Sequence, residues 1–274
     1  MKFKIQEAEI KRCIVAADDF AYNAAVDDGI VALIEAGVVT ATSCLTAAPR
    51  WPQAARRLGP ALREQADIGV HLDLTEFAPL APHHALLVAA CYSRAIDVAR
   101  LRASIQSQLQ RFEDQLHTAP DYIDGHRHVH QLPVVREALL DLLAQRYAGR
   151  LPWLRISRAR ADAGWKGRFI TGLGSAGLAA ACRRAGVLTN SHLIGWYGFD
   201  GDAAAYQDRV SAWLAGAADR DVLMCHPASR LDAQDRIGAA RVAEFEVLSG
   251  PWWRACLERH GVRSIRGARC FAAA

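Results

Sequence analysis

Short apolar runs recur along the chain, and the segments between them carry helical periodicity. The runs Cys13–Ala17, Val38–Thr46, Ile68–Leu72, Tyr122–Asp124, Trp153–Ser157, Val222–Cys225 and Arg263–Ile265 have the length and hydrophobic character of buried strands. Asn23 is placed to N-cap a helix that runs through Ala36, and Gly37 to end it. Pro133 opens a second helix through PVVREALLDLLAQ, where apolar residues return every three or four positions. Further helices are expected over Val98–Leu116, Ala203–Ala215 and Pro251–His260. Strands alternating with helices predict a parallel sheet, and no internal repeat, low-complexity tract or linker divides the pattern. The expectation is one domain over residues 1–274, a single-domain, irregular TIM-like (β/α) barrel. Thr75–Ile96 and Ala159–Gly174 break the periodicity with Pro, His and Gly, as insertions covering an active site do. The pair His83-His84 in the first of them is read as solvated loop.

Composition narrows the class of protein. With 51% apolar and 23% charged residues, the chain is an ordinary globular one rather than disordered or membrane-embedded. The opening MKFKIQEAEIKRC lacks the apolar core and cleavage site of a signal peptide, so a cytoplasmic location is expected, without a transmembrane segment. Seven cysteines are scattered with no CxxC pair, which points to reduced, packed thiols. The net charge of +4 comes from dispersed Arg, and with no reading motif present nucleic acid is not an expected partner.

The chemistry concentrates in DYIDGHRHVHQLP, where His126, His128 and His130 alternate just after a strand-like patch. Three imidazoles in five residues point first to a metal site, the alternative being one solvated polar face of a strand or turn. Polar groups also follow three other proposed strands: Asp18-Asp19 after CIVAA, His71 after DIGV and His226 after VLMC. In β/α barrels residues at the carboxyl ends of different strands converge on one face, which favours a shared site over helix capping by the acidic pair.

The motifs ADDF (17–20), GVVTATS (37–43), IGVHLDLT (68–75), DGHRHVHQLP (124–133) and MCHPA (224–228) closely resemble those of the YdjC/ChbG/HpnK family of carbohydrate deacetylases, in the same order. The resemblance implies a barrel of the glycoside hydrolase/deacetylase type and one divalent ion, Mg2+ or Zn2+, held by Asp19, His71 and His126. It implies hydrolysis of an N-acetyl group from a small amino-sugar carbohydrate or glycolipid, chitooligosaccharide-like or a glycosylated hopanoid precursor. A departure lies around ADDF, which the family precedes with Asn and follows with Gly where this chain has Ala16 and Ala21.

One carboxylate and two imidazoles leave positions on an ion for water and a substrate carbonyl. Asp18 is then the candidate general base, and His226 the candidate acid for the departing amine. Asp124 is expected to accept a hydrogen bond from a ligand histidine, and His130 to lie behind the ligands or against substrate. His128 is either a structural neighbour or a donor behind the ligands, and Arg155 either orients Asp18 or forms a surface ion pair. Trp196, Tyr197 and Phe199 are expected in the core rather than against a sugar, and Cys225 as a buried hydrophobe rather than a nucleophile. Two other functions fit the same residues: a metal-dependent hydrolase of another amide or ester, and a metal- or sugar-binding regulatory protein without turnover. Asp18 and His226 argue against the last, since binding needs neither base nor acid. A homodimer is left open.

Overall fold

In a computed structural model describing residues 10–161 and 163–272, the seven expected strands form, together with one that the sequence did not announce. They are β1 (Lys11–Phe20), β2 (Ala41–Cys44), β3 (Asp67–Leu72), β4 (Tyr122–Gly125), β5 (Trp153–Leu154), β6 (Leu193–Ile194), β7 (Asp221–Cys225) and β8 (Val262–Ser264). Every pairing is parallel, in the order β5-β4-β3-β2-β1-β7-β6, with β8 against the first residues of β1. Residues 1–9, on which the absence of a leader was read, lie outside the described residues.

Eleven helices occupy the connections among the described residues and a twelfth follows β8: α1 (Ala24–Glu35), α2 (Trp51–Ala55), α3 (Pro60–Gln65), α4 (His84–Tyr92), α5 (Val98–Leu116), α6 (Val135–Arg146), α7 (Trp165–Gly172), α8 (Ser175–Ala185), α9 (Ala203–Ala215), α10 (Gly238–Ser249), α11 (Pro251–Arg259) and α12 (Gly267–Ala272). Asn23 caps α1 by accepting from Val26 N–H at 2.9 Å, and Gly37 stands just beyond it at φ +70°. Pro133 does not open α6: Val134, at φ +67°, turns the chain first and the helix begins at Val135. The two stretches expected to be irregular each contain a helix, α4 and α7.

Strand alternation divides the core in two. Ile14, Ala16, Ala41, Tyr122, Trp153, Leu193, Val222 and Met224 form one buried cluster, closed by Cys270 and Phe271 of α12. Their neighbours Cys13, Val15, Ala17, Ile123, Leu154, Ile194, Leu223 and Cys225 belong to the larger cluster shared with the helices. The first set fills the barrel and the second faces outward, as a two-residue period requires. Each fully buried large apolar side chain contributes roughly 1.5–3 kcal/mol.

The barrel is irregular where β5 meets β6. No ladder joins them among the described residues; Leu154 and Thr189 form a single parallel bridge. Beyond it the Asn190 side chain takes the place of a strand peptide, accepting from Ile156 N–H at 2.6 Å and donating to Ile156 O at 3.1 Å. This is why the expected strand Trp153–Ser157 shortens to two residues: its backbone groups are satisfied by an amide side chain instead of a ladder.

Candidate functional site

On five strands the inward column is apolar below and polar at its carboxyl end. Two residues beyond Ala16, Ala41, Tyr122, Trp153 and Met224 stand Asp18, Ser43, Asp124, Arg155 and His226, and His71 holds the same place on β3. All six are buried. Asp19 should point outward, yet it shares their side, because the register against β2 slips between Ala17 and Phe20. Ala17 pairs with Thr42 and Phe20 with Cys44, so Asp18 and Asp19 together oppose Ser43. This is a β-bulge, with Asp19 at φ +69°, and it aims two consecutive carboxylates into one space.

There Asp19 Oδ1 lies 3.4 Å from His71 Nε2 and 3.2 Å from His126 Nδ1. Asp19, His71 and His126 form a group able to hold a metal ion, and Asp18, His71 and Asp124 form another. The first fits a divalent ion better. Asp124 Oδ1 takes His71 Nδ1 at 2.6 Å, which turns Nε2 toward Asp19 and spends the carboxylate on orienting the ring. Asp124 Oδ2 is also occupied, by Ser43 Oγ at 3.0 Å and Arg155 Nη1 at 3.0 Å. Four carboxylates (Asp18, Asp19, Asp124, Asp235) against two guanidinium groups (Arg155, Arg241) leave a formal charge of −2, which one divalent ion balances with both imidazoles neutral.

Arg155 is fully buried and grips Asp18 with both nitrogens, Nη1 to Oδ1 at 2.6 Å and Nη2 to Oδ2 at 2.7 Å; the surface ion pair considered for it does not occur. Asp18 Oδ2 also lies 3.9 Å from His226 Nε2 and 4.0 Å from His71 Nε2. Burial raises the Asp19 carboxyl, but Arg241, His126 and His71 outweigh it and hold it well below the usual carboxylate range. Burial lowers His71, yet Asp124 and Asp18 push it up to about 10. Without metal His71 is therefore an imidazolium at neutral pH, and an ion taking its Nε2 must displace a proton.

The three alternating histidines part company. Arg127 and His128 adopt φ of +51° and +60° inside a short 3₁₀ turn, so the alternation lies on neither a strand nor one face. His126 joins Asp19. His128 meets Ser157 Oγ through Nδ1 at 2.9 Å and packs on Trp196; burial, then Arg155, hold its pKa well below normal. His130 is fully buried, does not line the cleft, and donates Nε2–H to Arg155 O at 2.7 Å. Burial brings His130 down to about 4, and His226 likewise to about 4 despite Asp18 and Asp19. The bulky turn closes over Gly125, where an added Cβ would lie 2.8 Å from His130 Nδ1.

Two buried residues of α10 escaped the sequence reading. Arg241 donates to Asp19 Oδ2 at 2.8 Å, to Asp235 Oδ2 at 2.6 Å and to His226 O at 3.3 Å. Glu244 accepts from His226 N–H and from Tyr197 O–H, each at 2.5 Å. Burial raises Glu244 to about 7. A charged pair three residues apart reads in sequence as a solvated helix face, and nothing local shows that this face is turned inward.

Asp18, Asp19, His71, His126, His226 and Arg241 floor a cleft of about 810 Å3. One wall is apolar: Trp196 and Phe199 of the GWYGF segment line it beside Trp165 and Phe169 of α7. Trp165 is 81% and Phe169 61% exposed. The segment expected in the core thus faces the cleft, Tyr197 included, although its hydroxyl is also held by Glu244. His84, expected in solvated loop, opens α4 and lines the cleft. Cys225 points to the opposite side of β7 from His226, its Sγ 3.5 Å from Ala16 O, and burial raises its thiol well above normal; it is a packed hydrophobe.

The sequence profile of the family described as YdjC-like protein matches residues 12–259. The chain belongs to this family. A chitooligosaccharide deacetylase of Serratia marcescens is 29% identical over 266 residues, covering 92% of this chain and 96% of that one. Carbohydrate deacetylases of Mus musculus and Homo sapiens are 34% and 32% identical over 56% of the chain; the match spans about half of their length, 54% and 51%. A crystal structure from Enterococcus faecalis V583, provisionally described as a cellobiose-phosphate cleavage protein, shares the fold at a TM-score of 0.68 and 22% identity, covering 94% of this chain and 98% of that one. The YdjC-like chain thus has the expected α/β class, a parallel half-barrel wrapped in helices. No helix among the described residues is long and apolar enough to cross a membrane.

Proposed function

We propose that this YdjC-like chain is a metal-dependent deacetylase that hydrolyses the N-acetyl group of an amino-sugar-containing substrate. The observation that carries this reading is the convergence of Asp19 Oδ1, His71 Nε2 and His126 Nδ1 on one point of the cleft floor, with Asp18 and His226 beside it. The names of the Serratia and mammalian relatives supply the acyl group and the carbohydrate. Asp19, His71 and His126 would hold the ion; when bound, it polarises the acetamide carbonyl and makes water a stronger nucleophile.

The remaining steps belong to side chains. Asp18, fixed by Arg155, presents Oδ2 toward the centre and takes the proton of the attacking water. His226 is neutral at rest, so it can deliver a proton only after gaining one; its Nε2 lies 3.9 Å from Asp18 Oδ2, the nearest source. The water proton held on Asp18 then reaches His226 through one bridging water and passes to the departing nitrogen, without which an amide C–N bond breaks poorly. Trp165, Phe169, Trp196 and Phe199 offer flat apolar surfaces against which sugar C–H faces pack.

Acetate release measured across a panel of N-acetylated mono- and oligosaccharides and glycolipids tests the reading. Turnover of at least one amino sugar is expected. Hydrolysis of simple acetate esters with no N-acetyl sugar accepted would instead make the chain an esterase.

A further inference from the structure

Helix α10 holds His226 by both of its peptide groups. The N–H is accepted by Glu244 Oε2 and the C=O receives Arg241 Nη1 at 3.3 Å, from side chains one helical turn apart. The other arm of each side chain reaches the reacting centre or its wall: Arg241 Nη2 donates to Asp19 Oδ2, and Glu244 Oε1 accepts from Tyr197 O–H. Regular strand pairing does not fix His226, which lies one residue beyond β7. Its placement is therefore set by α10.

We infer that Arg241 and Glu244 are positioning residues: Glu244 aligns His226 for proton delivery, and Arg241 occupies Asp19 Oδ2 so that Oδ1 alone is offered to the metal. Three features single them out from ordinary packing. Both are buried, at 3% and 0% exposure, and buried charges are kept only where each is fully partnered. Arg241 has three acceptors, Asp19, Asp235 and His226 O, in the directions of its fork, an arrangement one ammonium cannot reproduce. Glu244 must accept at Oε2, where its partner is a peptide N–H, while Oε1 bonds the Tyr197 hydroxyl.

The inference rests on the proposed role of His226, and its test separates the two. Rates on an N-acetyl sugar and on an activated acetate ester, together with metal affinity, are compared for the wild type, His226→Ala, Glu244→Gln and Arg241→Lys. Glu244→Gln replaces the carboxylate acceptor of the His226 N–H by a neutral amide oxygen and keeps Tyr197 only by reversing that hydrogen bond; a displacement of about 1 Å costs on the order of a hundredfold, so it should lose at least about tenfold more on the amide than on the ester while keeping wild-type metal affinity. Arg241→Lys should weaken metal binding about 10–100-fold, as removal of a partner behind a ligand does. A merely structural role would lower both rates alike. If Glu244→Gln is not obtained folded, Glu244→Asp, too short to span both partners, is read for the same split. Equal losses on amide and ester while His226→Ala separates them overturn the assignment of Glu244; unchanged metal affinity in Arg241→Lys overturns that of Arg241. If His226→Ala shows no split, the acid role fails instead, and the metal measurement still decides Arg241.

Discussion

At the scale of single residues the account turns on Asp18 and His226. Asp18→Asn keeps the shape of the side chain but cannot take a proton; turnover should fall by about 10²–10⁴-fold with metal content retained. Loss of metal from that variant would make Asp18 a ligand instead. His226→Ala should lose about 10²–10⁴-fold on an amide and far less on an activated ester, whose leaving group departs unprotonated. Strand-end position made most of these side chains legible, because the inward column of a barrel carries polar groups only where it reaches the open end. The roles of neighbours were less legible. Arg155 sits inward for the same reason as Asp124, yet its burial depends on Asp18 from a strand four places away in the sheet order. Arg241 and Glu244 look like any exposed pair until the turn of α10 is known.

At the scale of elements, two local distortions place the proposed ligands. The bulge at Asp18-Asp19 is secured by Asp27 in the first turn of α1, which accepts from Ala21 N–H at 2.7 Å and is paired with Arg50. Ala21 sits at φ +77°, where Gly is more at ease; this explains why a glycine follows the motif in the resembled family. Ala→Gly there would relieve roughly 1–2 kcal/mol of left-handed strain but remove a buried methyl and add chain entropy of about the same size. The turn after β4 is the second distortion. Gly125→Ala would drive a methyl into His130, and overpacking of this kind costs about 1–3 kcal/mol. Urea unfolding should show that loss, and metal affinity should drop with it because His126 follows directly; full stability and affinity would mean that the turn is less tightly packed than its geometry shows. Strands with continuous apolar runs were legible, whereas β6, with two residues, leaves too short a pattern and α10 begins without a capping side chain to mark its start.

For the whole molecule, the buried histidines set the response to pH. In the metal-free protein His130 and His226 are lowered to about 4 from an ordinary value of 6.5, so between those values the unfolded chain binds more protons than the native one. Stability should therefore fall as pH drops from about 6.5 to about 4, by up to about 3 kcal/mol for each group. His71 acts in the opposite sense: its raised pKa contributes stability fully present below about 6.5 and lost as pH rises through about 10. Urea midpoints recorded across pH 4–6.5 should fall less steeply in His130→Gln, which keeps a donor for Arg155 O but cannot titrate; an unchanged slope would show that His130 is not held neutral. Because an ion must displace the His71 proton, metal affinity should also rise about tenfold per pH unit toward about 10.

The central claim is that a metal held by Asp19, His71 and His126 supports deacetylation in this cleft. The most direct measurement is acetate release from an N-acetyl sugar by metal-stripped protein titrated with Zn2+ or Mg2+, alongside His126→Ala. The account predicts no acetate above background before metal, activity that reaches its plateau at one ion per wild-type chain, and no plateau at that ratio in His126→Ala. Full-rate acetate release by the stripped protein, or an unchanged titration curve for His126→Ala, would contradict it.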